Sequence, residues 1–64
     1  MKFRKLIIKE LSKSDIGKPV LREDKFDPEI LIIVDFTKYG IELFAAGSRT
    51  TLLSKGENLK FIEI

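Results

Sequence analysis

The chain reads as an all-β domain, a small barrel or strongly bent sheet of five or six short strands. Three observations predict this. Ile, Leu, Val and Phe cluster in short runs about ten residues apart, separated by polar turns containing Gly, Pro or Asn. The strongest run, Ile30 to Phe36, has Ile30, Ile32, Val34 and Phe36 on one face of a strand and Leu31, Ile33 and Asp35 on the other. Finally, 64 residues of which 44% are hydrophobic can pack one core. A flat sheet of that length would leave an apolar face wet, so the sheet is expected to curl. One domain covering residues 1–64 follows from the length and from the absence of repeats or linkers.

The elements follow in chain order. In Lys2 to Leu11, Phe3, Leu6, Ile7 and Leu11 have helical spacing. Lys2, Arg4 and Lys5 would lie at the positive end of a helix dipole, and Ile7-Ile8 suits a pleated surface, so a strand is favoured. Ser12 to Gly17 reads as one tight helical turn. Ser12 and Asp15 form a capping box, and Gly17 ends the turn in a left-handed conformation. Pro19 blocks continuation and starts a short strand, Val20 to Arg22. Glu23 to Glu29 is a charged loop ending in the turn signal Asp27-Pro28. After the main strand, Thr37 to Gly40 is a connection in which Gly40 is expected at positive φ, and Ile41 to Ala46 returns as the partner of a hairpin. Gly47-Ser48 reads as a tight turn, Arg49 to Leu53 as the next strand, and Ser54 to Asn58 as a polar turn. Leu59 to Ile64 closes the chain, with Leu59 and Phe61 on one face and Ile62 and Ile64 on the other.

The segment Leu11-Ser12-Lys13-Ser14-Asp15-Ile16-Gly17-Lys18-Pro19-Val20 resembles the L-x-x-x-D-I-G-x-x-V opening of small SH3-like barrel proteins, many of them phage- or prophage-encoded. Asp27-Pro28-Glu29, Thr37-Lys38-Tyr39 and Glu57-Asn58-Leu59-Lys60-Phe61-Ile62 fit the same layout, so the likeness spans about Leu11 to Ile64. Ile30-Leu31 stands where that group often has a Gly. The resemblance implies a five-stranded SH3-like barrel. The residues themselves add one short helical turn and, with the N-terminal segment as a strand, a sixth strand. It implies no activity and no functional residues. With it comes the expectation of a viral or prophage accessory or structural protein, placed in the host cytoplasm or the virion.

Composition narrows the chemistry. There is no Cys and no His. The commonest general base, the commonest metal ligand and the thiol nucleophile are therefore all missing, and a cysteine-free chain suits a reducing, intracellular setting. No secretory leader is expected, because Lys9 and Glu10 close the run Leu6-Ile7-Ile8 at once. The longest apolar run, Ile30 to Val34, is far below the ~20 residues that span a bilayer. Asp35 and Glu42 flank one hairpin and could share a site for acid–base chemistry, but an ion pair of one of them with Lys38 is the simpler expectation. Glu23, Asp24, Asp27 and Glu29 offer oxygen ligands without the spacing of a calcium loop, so a solvated acidic loop is expected there. No catalytic, cofactor-binding or metal-binding residues are assigned, and the expected class is non-enzymatic.

Two binding readings remain. The preferred one is protein association. Because Ile30 to Val34 is apolar on both faces, Leu31 and Ile33 are expected to need an outer cover, with Phe44 and Ile64 beside them and Tyr39 as a further anchor. A second copy in a symmetric homodimer is the default cover. The alternative is a nucleic-acid-binding barrel. Net charge is +2 overall, but residues 1–25 carry +4 and residues 26–64 carry −2. Lys2, Arg4, Lys5 and Lys38, near Phe3 and Tyr39, are its candidate contacts. Lysines guarding a strand edge would explain the same N-terminal charges.

Overall fold

A computed structural model describes residues 2–23, 28–56 and 58–63. The charged loop's Asp24 to Asp27, together with Glu57 and Ile64, lie outside the described residues. Six strands form one antiparallel sheet: β1 (Lys2–Lys5), β2 (Pro19–Arg22), β3 (Glu29–Thr37), β4 (Gly40–Ala45), β5 (Thr50–Ser54) and β6 (Leu59–Glu63). Their order across the sheet is β1-β6-β2-β3-β4-β5. Strands β2 to β5 run as a meander, and β6 returns to pair with β2. The all-β expectation holds, but closure into a barrel does not. Strands β1 and β5 are both edges and do not pair with each other.

The segment between β1 and β2 packs Leu6, Ile8 and Leu11 against the core. The backbone N–H of Leu6 donates to Leu59 O at 3.1 Å, extending the β1–β6 ladder by one residue. The chain then leaves the sheet in a 3-10 turn at Ile8–Glu10 and a second at Lys13–Asp15. Lys2 to Leu11 is thus strand first and helical turn second. Of the four helically spaced residues only Leu6 and Leu11 reach the core, joined there by Ile8, while Phe3 and Ile7 are exposed, so the spacing does not mark a helix face.

The core lies on the inner face of the bent sheet. Leu6, Val20, Leu31, Ile33, Ile41, Leu43, Ala45, Leu59 and Phe61 form one buried cluster, with Phe36 and Leu52 packed against it. Cross-strand pairing explains the membership, since partners in register share a face. Val20 pairs with both Leu31 and Phe61, Ile33 with Leu43, and Leu43 with Leu52. The expected outer position of Leu31 and Ile33 is therefore reversed. Both are 0% exposed, whereas Ile30, Ile32 and Val34 are 61%, 36% and 38% exposed. Alternation on β3 was correctly read, but its polarity depends on the neighbouring strands.

The two faces swap partway along β3. A bulge shifts the register between Ile33 and Asp35. Ile33 pairs inward with Leu43, Val34 is the extra residue, and Asp35 faces outward opposite Glu42. Phe36 then returns to the core side opposite Ile41. The bulge is what lets Ile33 and Phe36, three residues apart, share one face.

Turn chemistry departs from expectation in two hairpins. Gly40 does not adopt positive φ. It pairs with Thr37, so Lys38 and Tyr39 alone make the hairpin tip. Its small size matters because a Cβ would lie 3.0 Å from the backbone oxygen of Ser54 on β5. Between β4 and β5 the connection is the four residues Ala46 to Arg49 rather than Gly47-Ser48 alone, and Arg49 takes the left-handed conformation, with φ of 55°.

The turn from Ser12 to Gly17 is as expected. The Asp15 carboxylate accepts the Ser12 backbone N–H at 2.9 Å, one half of the capping box, and pairs with Lys18 Nζ at 2.9 Å. Gly17 has φ of 95°. Its N–H donates to Ile33 O at 2.7 Å, and Ile33 N–H donates to Lys18 O at 3.2 Å, so the turn is fastened to β3 just ahead of β2. The ammonium of Lys18 and the Ser12 amide hold the Asp15 carboxyl below its ordinary pKa. Stability from this group is therefore present above the ordinary carboxylate pKa and lost as pH falls through the lowered one. Asp15→Ala is expected to cost about 1–2 kcal/mol at neutral pH, since the side chain is only 12% exposed. Urea midpoints measured at neutral pH and near pH ~3 should show the gap to wild type narrowing in acid. A gap that is independent of pH would contradict the ionic cap.

Candidate functional site

The outer face of the sheet is one candidate surface. On it Leu21 pairs with Ile30, Pro19 with Ile32, and Ile32 with Phe44. These residues lie on three adjacent strands, so they form a continuous apolar stripe rather than scattered side chains. Phe44 is half-buried and shares the stripe with Ile30 and Ile32, on the face opposite Leu31 and Ile33. Further out, Phe3 sits opposite Ile62, and Leu53 is exposed on β5 opposite Glu42.

The two edges differ. Edge β1 carries Lys2, Arg4 and Lys5 among its four residues, while β5 (Thr50–Ser54) has no charged residue. Basic side chains on an edge oppose pairing with another strand. Arg4 is also spent locally, in an ion pair with Glu63 and over the Phe61 ring at 4.5 Å.

Tyr39 marks the second candidate region. It is 79% exposed at the tip of the β3–β4 hairpin, and the Lys38 ammonium lies 5.0 Å from its ring centroid. Its backbone N–H donates to Thr37 Oγ1 at 3.2 Å, which steadies the two-residue tip. On one side Tyr39 borders a cleft of about 390 Å³ with Asp35, Phe36, Glu42 and Leu53. On the other it borders an open groove of about 520 Å³ with Lys5, Ile7, Lys9, Lys38 and Lys55. Tyr39 and Lys55 form the divide between the two.

Asp35 and Glu42 do face each other across the hairpin. Neither pairs with Lys38 in the described structure, because the Lys38 ammonium turns to the Tyr39 ring instead. Asp35 Oδ1 accepts the Phe36 backbone N–H at 2.8 Å, a local bond at the bulge. Of the acidic loop, Glu23 pairs with Lys60 at 2.7 Å and Glu29 with Arg22 at 2.7 Å, so both described carboxylates have cationic partners. Among the described residues, no group of three or more Asp or Glu is placed to hold a metal ion.

Among the four basic residues singled out by sequence, Lys5 and Lys38 meet in the groove. Lys2 and Arg4 lie on edge β1 and do not line it. Sequence reading missed Lys9 and Lys55, which the first 3-10 turn and the β5–β6 turn bring to the same place. Residues 5, 9, 38 and 55 show no local spacing signal, since three separate chain segments supply them.

Fold and surfaces together define a class: a small, open, bent antiparallel sheet with one apolar outer stripe and one lysine-lined groove. Comparison with protein-family models, with curated proteins and with solved structures yields no match. Among the described residues, no helix is long and apolar enough to cross a membrane.

Proposed function

We propose that this protein is a non-enzymatic interaction module that pairs with a second copy of itself through the outer face of β2, β3 and β4. The observation that supports this reading is the run Ile30, Ile32 and Val34, three β-branched side chains exposed on one face of a central strand. Leu21 and Phe44 extend the same stripe to the neighbouring strands. Removing such a patch from water is favourable by roughly 25 cal/mol per Å². The molecule's two larger extents are 28 and 26 Å. Their product bounds the whole face on the order of 700 Å², so pairing through the stripe falls in the small, weak-to-transient interface class below ~800 Å² per partner. A sheet face presenting the same stripe on both copies is self-complementary, which a two-fold dimer requires.

The SH3-like layout belongs to this proposal in an unclosed form, supported by β6 returning beside the first strand of the meander. An intracellular or virion setting of phage origin rests on the sequence resemblance and on the cysteine-free composition. Absence of His and Cys, and the local use of Asp35 at the bulge, support a non-catalytic role.

Sedimentation velocity at micromolar concentration tests the pairing. Wild type is expected to sediment as a dimer, and Ile30→Lys and Ile32→Lys as folded monomers. A wild type that stays monomeric throughout that range sinks the proposal. If Leu53→Lys dissociates the dimer while Ile32→Lys does not, the contact is the β5 edge and the outer-face assignment is wrong.

A further inference from the structure

The groove beside Tyr39 has a composition that self-association does not use. Lys5, Lys9, Lys38 and Lys55 line it, and none of its described lining residues is acidic. The ion pairs formed among the described residues engage other cations, namely Arg4, Lys18, Arg22 and Lys60. Four lysines bordering one open groove with no acidic residue among its described lining give it a positive potential that attracts anions. Beside them stand two exposed apolar groups, the Tyr39 ring and Ile7.

We propose that this groove binds single-stranded nucleic acid, with the lysines on successive phosphates and a base stacked on Tyr39. Lysine point charges along a groove suit a phosphodiester backbone of any sequence, and an aromatic face at its wall accepts any base. Lys38 already occupies one side of the Tyr39 ring at 5.0 Å. The other face of the ring is left for a base to stack on, while the Lys38 cation helps hold the ring in place. Asp35 and Glu42 lie beyond Tyr39 in the adjoining cleft, so repulsion keeps the phosphates on the lysine side. A duplex fits this arrangement poorly, because its bases are already stacked and offer Tyr39 no free face.

The test is fluorescence anisotropy with a labelled oligothymidylate of roughly 12 nucleotides, within the site sizes known for small barrels. If four phosphates are neutralised, the logarithm of affinity falls with the logarithm of salt at a slope near about −2.8, a loss of roughly 50-fold between ~50 and ~200 mM. Lys9→Gln and Lys55→Gln are each expected to reduce that slope by about 0.7. Tyr39→Ala should weaken binding roughly 5- to 150-fold while leaving the slope unchanged, a split that loss of charge alone does not produce. The proposal is overturned by absence of binding at ~50 mM salt. It is equally overturned if a duplex of the same length binds as well as the single strand, or if Tyr39→Ala is without effect. Those last results would describe an unspecific polyanion patch. None of these readouts depends on whether the chain is a dimer.

Discussion

Leu31→Ala and Ile33→Ala are each expected to lower the unfolding free energy by about 2–5 kcal/mol. Ile30→Ala and Ile32→Ala, one residue away, are expected to cost about 1 kcal/mol or less in the monomer. The contrast follows from burial. Leu31 and Ile33 have no solvent contact and sit among Val20, Leu43 and Phe61, so truncation leaves a cavity that a one-sheet core cannot close. A domain of this size holds only about 3–10 kcal/mol in total, so the larger loss is enough to populate the unfolded state. Urea denaturation of the four variants at a concentration where wild type is monomeric provides the check. Equal costs at odd and even positions would mean that the face assignment of β3 is wrong.

Gly56→Val is the second large effect, expected at about 3 kcal/mol or more, against about 1 kcal/mol for Gly17→Ala. Both glycines have positive φ, 88° and 95° respectively, so any side chain there is strained. Only Gly56 is also crowded. A Cβ would lie 2.9 Å from Ile8 Cδ1 and 3.0 Å from Cγ1, while nothing lies within 4 Å of the corresponding position at Gly17. The contact matters because Ile8 is packed against the core cluster. Pushing it away uncovers Leu6 beneath, whose Cδ2 is 3.9 Å from the same point. A double-mutant cycle tests this account. Ile8→Ala should cost less in the Gly56→Val background than in wild type, since it removes the clashing atoms. Additive costs would leave only the backbone strain.

Much of the fold was legible in the sequence because it depends on local chemistry. Period-two alternation located β3, and Pro19 marked the start of β2. The Ser12–Asp15 box with Gly17 behind it specified a single helical turn, and the structure contains that turn with the expected cap. Gly40 was misread because sequence shows that a glycine is present but not which demand it meets. At Gly40 the demand is the approach of the Ser54 carbonyl from another strand, a contact that no local pattern records.

The sequence by itself determined that this chain is all-β and that β3 has two apolar faces. Those properties reside in residue type and spacing, which act over a few neighbours. Only the tertiary structure decided which face is inside. That polarity is set by the pairing of Val20 with Leu31 and of Ile33 with Leu43, contacts between strands that the sequence does not order. The same long-range pairing left the sheet open between β1 and β5, with Leu6 and Ile8 packed on the core and Leu6 to Lys9 bordering a groove with Tyr39 and Lys55. Because three distant segments border that groove, Lys5, Lys9, Lys38 and Lys55 converge on it beside Tyr39. A shared groove is a property of chain closure over long separations, and only folding reveals it.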